Sequence, residues 1–354
     1  MTQSILTRRN VLLAGATALA APYVWSRPAR AAAQVVVRNP GGAYDEAQRQ
    51  YIYDPFTKET GIEVVVVPST MGKLLAMVKS GTAEMDVADA GLDGLITIGN
   101  AGGLAPIDYG SWKHADPKDI GGEYMTATTV ANCLYATVLG YNKEAISDGK
   151  QPKGWAEFWD VEKFPGDRML ADMASGTPNL EFALIADGVP MDKLFPLDID
   201  RAFKSMSKIK PHIKKFWDTG ALSAQMMADK DVVLGSIWNG RLQAAADKGA
   251  PLAIEWTQHM LQIQGYGVFK DGPNAKNAQL FVDFAMGPKS QLGLAKLLHY
   301  GPSNRKSFDL LEPDIVATLP GSPQQLKNSF LQDVDWWDKN RAKVNSIWSK
   351  WILS

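Results

Sequence analysis

Short apolar runs alternate along most of the chain with segments whose apolar residues recur at helical spacing. Val35-Val36-Val37-Arg38, Gly61 to Val67 and Asp86 to Gly91 read as strands, with helices over Tyr44 to Thr57 and Met71 to Lys79 between them. The alternation then continues. Leu134 to Tyr141 is a long strand leaving a first domain, and Met169 to Asp172 and Asp231 to Ile237 are further strands. Leu180 to Ala186, Ala221 to Ala228, Ala278 to Met286 and Gln291 to Leu298 are helical. The tail, Val334 to Leu353, places Trp336, Trp337, Trp348 and Trp351 at mostly helical spacing, the mark of an amphipathic helix packed on the body. Continuous apolar strands between helices predict an α/β fold with a parallel sheet covered on both faces.

The first 33 residues depart from this pattern. Arg8-Arg9 precede a modest apolar run to Ala21, followed by Ala29-Arg30-Ala31-Ala32-Ala33. A charged start, a short apolar middle and an Ala-x-Ala site make an export signal, and the paired arginines match the twin-arginine class. Cleavage is expected near Ala31 or Ala33, and the apolar run is too short for a permanent membrane span. An N-terminal amphipathic helix is the alternative for this stretch. No cysteine stands at the start of the mature chain to carry a lipid. Cys133 is the only cysteine, so no internal disulfide is available. An exported chain of roughly 320 residues must then hold its fold by its core, which that length permits over about two domains. Without the leader, 33 basic residues face 38 acidic ones, a net charge of −5 that argues against a nucleic-acid partner.

The richest chemistry lies in Trp238-Asn239-Gly240-Arg241, where a buried strand ends. Ligands of α/β proteins are met at such strand ends. An indole offers a flat apolar wall, and a guanidinium offers a planar fork matched to a carboxylate. A core tryptophan followed by a surface arginine fits the same spacing. Ser175-Gly176-Thr177 precedes the helix at Leu180 and fits either a helix cap or a carboxylate pocket. Gly41-Gly42, before Tyr44, fits either a plain turn or an anion held on backbone N–H groups. Trp155 and Trp159 lie on one helical face and suit packing. The four histidines (His114, His212, His259 and His299) have no metal-ligand spacing, so neither a metal nor another cofactor is expected. There is no Gly-x-Ser-x-Gly, His-Glu-x-x-His or Gly-x-x-x-x-Gly-Lys, and Cys133 sits in an apolar run that suits burial.

Several stretches together resemble the spermidine/putrescine-type solute-binding proteins of ATP-driven importers. They are Trp155-Ala156-Glu157-Phe158-Trp159-Asp160, Ile237-Trp238-Asn239-Gly240, Gly249-Ala250-Pro251 with Trp256, and Tyr300-Gly301-Pro302-Ser303-Asn304. Asp86-Val87 and Gly103-Leu104-Ala105-Pro106-Ile107-Asp108 fit as well. The resemblance implies a type II periplasmic binding protein, two α/β lobes joined by a hinge with the solute trapped between them. The corresponding division is a leader over 1–33, lobe one over 34–138 and 268–354, and lobe two over 139–267. The implied partners are a small-molecule solute and the permease and ATPase subunits of the inner membrane, served by a periplasmic monomer.

The resemblance places Trp238 and Tyr300 in the pocket. It puts Gln264 where the polyamine binders hold an amine on aspartate, and Gln262 where they have a tryptophan. Their acids for the other end of a polyamine are replaced around Ser175, Gly176 and Thr177. An alkylammonium would lose its counter-charge there and meet Arg241. The expected solute therefore carries a carboxylate on Arg241, with Asp89 or Asp93 for an amine and Tyr44 in the lining. A γ-amino acid or a sugar–amino-acid conjugate fits. The alternatives are a true polyamine binder, a ferric-ion binder, disfavoured by the absence of a Tyr-Tyr pair, and an enzyme on the same fold.

Overall fold

The computed structural model describes Ala33–Ser354; the leader with Arg8-Arg9 lies outside these residues. Eleven strands form one sheet: β1 Gln34–Arg38, β2 Glu63–Val67, β3 Val87–Gly91, β4 Leu104–Ala105, β5 Thr129–Asn142, β6 Arg168–Ala171, β7 Ile213–Trp217, β8 Leu234–Trp238, β9 Leu252–Phe269, β10 Gly301–Pro302 and β11 Ser329–Leu331. The principal order is β2-β1-β3-β9-β5-β8-β6-β7. At one end β2, β1 and β3 run parallel, and at the other β8, β6 and β7 do. The middle differs from expectation. β9 pairs antiparallel with both β3 and β5, and β5 antiparallel with β8. The sheet is mixed because two long strands cross it, a long-range pairing that local apolar runs do not disclose.

Each parallel end is built as its sequence suggests. Val35, Val36 and Val37 are β-branched and buried on both faces of the sheet. The helix over Met71–Ser80 is capped by the Thr70 hydroxyl, which accepts from the Lys73 N–H, and stops at Gly81 with φ 68°. The stretch Ala43–Thr60 is one continuous helical run with a π-turn over Arg49–Tyr53, closed by Gly61 at φ 70°.

Two sets of cores flank the crossing strands. Val35, Phe56, Val130, Tyr266 and Phe281 belong to one lobe, and Leu139, Trp155, Phe182, Phe203 and Met260 to the other. Both β5 and β9 contribute to both, so these two strands connect the two cores. Trp155 packs as expected: it is fully buried and stacks on Phe182 at 3.8 Å. Cys133 is buried in its strand. The C-terminal helix, Val334–Trp351, departs from the expected division. Trp337, Val344 and Trp348 sit in the second lobe's core, so the apolar face of the tail is covered by lobe two while its polar face meets Asp93, Thr97 and Asn100. Among the described residues no helix is long and apolar enough to cross a membrane.

Glu181 lies fully buried on the helix Leu180–Ala186. Its Oε1 accepts from the Trp337 indole N–H at 2.7 Å, while Oε2 has no partner. Burial pushes its carboxyl up to about 7, against the pull of the indole donor. A folded value above the unfolded one adds stability below about pH 4.5 that is lost as pH rises through 7. Glu181→Gln keeps an acceptor for Trp337 and removes the charge. The expected outcome is a gain of about 1–2 kcal/mol at pH 8 and little change at pH 4.5, read from urea denaturation at the two pH values.

Candidate functional site

Strand β8 ends at Trp238, and a helix, Asn239–Ala246, begins at the next residue. Each member of Trp238-Asn239-Gly240-Arg241 has a distinct geometric task. The buried Asn239 side chain accepts from the Ala136 N–H at 2.9 Å and donates to the His299 carbonyl at 2.7 Å. It thereby ties the end of β8 to β5 and to the turn before Tyr300. At Gly240 a Cβ would lie 2.6 Å from Tyr300 Cε1 and 2.7 Å from the Leu298 carbonyl, so only glycine lets Tyr300 close over the motif. Gly220 plays the same part below, where a Cβ would stand 2.6 Å from the Trp238 ring and 3.0 Å from Arg241 Cγ.

The aromatic wall forms around this framework. Trp238 meets the buried Trp217 edge-on at 5.3 Å and Tyr135 at 6.3 Å, and Tyr135 lies 6.0 Å from Tyr300. Two adjoining compartments share Tyr135, Trp238 and Gln264. One of about 300 Å³ is lined also by Gly41, Tyr44, Arg241 and Tyr300. The other, about 200 Å³, is lined by Asp93, Ser175, Gly176, Thr177, Gln262 and Gln332. Ten of the eleven expected residues therefore line one or other of these two adjoining compartments. Larger hollows of about 880 and 720 Å³ lie beside the C-terminal helix and on lobe one, away from this motif.

Asp89 is the exception. It is fully buried and lines neither compartment. Its carboxylate accepts from the Tyr44 hydroxyl at 3.0 and 3.1 Å, from Gln48 Nε2 at 2.6 Å and from Gln264 Nε2 at 2.8 Å. Arg38 donates to its main-chain oxygen, not to its carboxylate. Burial raises the Asp89 carboxyl to about 7, and the donors from Gln264, Gln48 and Tyr44 oppose that rise.

The Ser175–Thr177 loop also differs from a helix cap. Ser175 Oγ donates back to the Asp172 carbonyl at 2.8 Å, Thr177 Oγ1 accepts from Gln332 at 3.0 Å, and no side chain caps the helix at Leu180. Gln262 completes a polar wall, with Oε1 accepting from Thr137 Oγ1 at 2.7 Å and Nε2 facing Gln332 Oε1 at 3.4 Å. Asp93 is paired with Arg341 at 3.1 Å. Arg241 is exposed and has no ion pair among the described residues. Burial pushes the Tyr300 hydroxyl up to about 12, with Arg241 pulling the other way, so it stays a neutral donor.

The model of the bacterial extracellular solute-binding protein family matches residues 51–323. The chain belongs to this family. It is 31% identical to the gamma-aminobutyric acid-binding protein of Pseudomonas aeruginosa, over 88% of each chain. An ABC transporter substrate-binding protein from Bradyrhizobium japonicum superposes with TM-score 0.83 and 34% identity, over 90% of this chain and 99% of that one. A binding protein from A. tumefaciens R10, solved with agropinic acid, superposes with TM-score 0.75 and 28% identity, over 91% and 99%. The protein is thus the solute-binding component of an ABC transporter and takes a small polar solute; it is not an enzyme.

Sequence reasoning missed three residues of this solute-binding protein's cleft region. Tyr135 sits in an apolar strand, and its hydroxyl-bearing ring was the one local signal. Gln332 and Arg341 belong to the tail, which read only as packing. Arg341, on a helix rooted in lobe two, donates to the Gly176 carbonyl and pairs with Asp93 of lobe one. Asp338 on the same helix accepts from Thr97 Oγ1 at 3.2 Å and Asn100 Nδ2 at 3.1 Å. These contacts fasten the lobes with polar, half-exposed groups that water can replace. Arg341→Ala is expected to shift unliganded protein toward the open form, read as a larger radius of gyration in solution scattering, the pair itself contributing about 0.2–1 kcal/mol. Gly240→Ala is expected to cost about 1–3 kcal/mol in denaturant unfolding, because its Cβ must displace Tyr300 or the Leu298 backbone.

Proposed function

We propose that this protein captures a small carboxylic acid in the periplasm and delivers it, as a monomer, to the permease and ATPase of an inner-membrane importer. Its leader directs export by the twin-arginine route, with cleavage near Ala31 or Ala33. The carrying observation is the charge balance of the cleft. Arg241 reaches it without a carboxylate partner, Asp93 is already paired with Arg341, and Asp89 is buried behind Tyr44 and Gln264. A carboxylate entering there gains a charge-assisted, two-pronged contact. A diamine would meet Arg241 and no free carboxylate, so the polyamine reading is the weaker one. The named ligands of two relatives, gamma-aminobutyric acid and agropinic acid, are both acids.

Trp238, Tyr135 and Tyr300 wall the aliphatic part of the solute, and Gln262, Gln264, Ser175, Gly176 and Thr177 meet its other polar groups. Contacts to both lobes then favour closure about β5 and β9. Calorimetric titration with gamma-aminobutyrate, its methyl ester and putrescine tests the reading. Binding of the acid is expected, with weak or absent binding of the ester and of putrescine. Arg241→Ala should then weaken the acid about a hundredfold, roughly 2.7 kcal/mol. Tight putrescine binding without any response to the acid would overturn it.

A further inference from the structure

We infer that Asp89 is a positioning residue that turns the Gln264 carbonyl oxygen to the cleft, so that the solute must carry a hydrogen-bond donor, a hydroxyl or an amine, beyond its carboxylate. The inference rests on the carboxylate reading above and specifies the other end of the molecule.

The direction of each hydrogen bond around Asp89 carries the argument. At pH 8, above the value of about 7 to which burial raises it, the Asp89 carboxyl is ionised, so it accepts and cannot donate. Tyr44, Gln48 and Gln264 all face the two Asp89 oxygens, so each must present a proton. Two of them are also locked from behind. Gln48 Oε1 accepts from the Tyr266 hydroxyl at 2.7 Å, and the Tyr44 oxygen accepts from Asn132 Nδ2 at 2.9 Å. Every bond in the cluster therefore points toward Asp89. A reversed Gln264 would set its carbonyl oxygen about as far from Asp89 Oδ1 as the 2.8 Å that now separates Nε2 from it, lone pair against lone pair.

Gln264 thus turns Nε2 inward and leaves Oε1, which receives no hydrogen bond among the described residues, for the cleft that Gln264 lines. Gln262 is set the opposite way, because Thr137 occupies its oxygen. The two neighbouring amides of β9 offer an acceptor and a donor respectively. A neutral acceptor serves a hydroxyl or an amine alike and gives nothing to a group that only accepts.

The test is calorimetry at pH 8 with four matched acids: 4-hydroxybutyrate, gamma-aminobutyrate, 4-fluorobutyrate and butyrate. The two donor-bearing acids are expected to bind at least tenfold more tightly than the fluoro and unsubstituted acids. Gln264→Met keeps the length and removes the acceptor, and should close that gap to within about twofold. Asp89→Asn should close it too. Tyr266 holds Gln48 in place, so the new amide N–H falls on the Gln264 side and reverses that side chain. A purely structural role for Asp89 would instead weaken all four acids alike and overturn the inference. So would a wild-type protein that binds the fluoro and hydroxy acids equally, or a gap that survives Gln264→Met. Failure of all four acids to bind would overturn the carboxylate reading itself, and this inference with it.

Discussion

The antiparallel pairing of β5 with β9 is the constraint on which the other features depend. Fourteen residues of one strand and eighteen of the other run through the sheet, and each end feeds a different core. A strand shared between two cores can transmit bending but cannot let either lobe go. Its middle is where the lobes part, and side chains of period two there point alternately into the cleft. Tyr135 on β5, and Gln262 and Gln264 on β9, are the consequence, with the buried Thr137 behind them holding the Gln262 oxygen. The register shifts between Ala131 and Cys133, and between Thr137 and Leu139, bracket this stretch. Irregular pairing at those points frees Asn132 to reach Tyr44, and so links the crossing to the cluster on Asp89.

The motif at the end of β8 shows how a site is aimed by residues that do not touch a solute. Asn239 fixes two backbones, and Gly240 and Gly220 clear the space in which Tyr300, Trp238 and the Arg241 stem lie. Only the tryptophan and the arginine of the four face the cleft. A tyrosine sixty residues away is therefore held in place by the absence of a methyl group. That dependence is steric, and it makes the aromatic wall rigid before any ligand arrives.

The legible parts of this chain were those whose cause is local. Val35 to Val37, the helix at Met71 and the tail tryptophans each carry their own periodicity, and each element formed where the periodicity put it. The strand end at Trp238 was legible for the same reason. The mixed sheet was not, because the partner of β5 lies more than a hundred residues on, in a stretch that carries Glu255, Gln258 and His259 among its apolar residues. The tail's allegiance to lobe two was hidden likewise: an apolar face declares that it will be covered, not by what. Arg341 and Gln332 were lost with it. Asp89 was expected at a strand end but is the middle residue of β3, and its depth is set by Tyr44, Gln48 and Gln264 folding over it from a helix and from β9.

That depth changes what the cleft says to a charged molecule. The polyamine-type resemblance aligns an aspartate with position 264, directly against the solute. Here the amide of Gln264 stands there, and the carboxylate lies one layer back, spread over three donors. A carboxylate at the surface of a cleft attracts ammonium and repels anions over several ångströms. The same charge behind an oriented amide offers a short-range dipole that can be satisfied by a neutral hydroxyl. With Asp93 paired to Arg341, the uncompensated charge left in the lining is the cation on Arg241. Setting one carboxylate back behind a glutamine amide thus takes a negative charge off the surface of the cleft, and the proposed preference for an acid rests on that change together with Arg241.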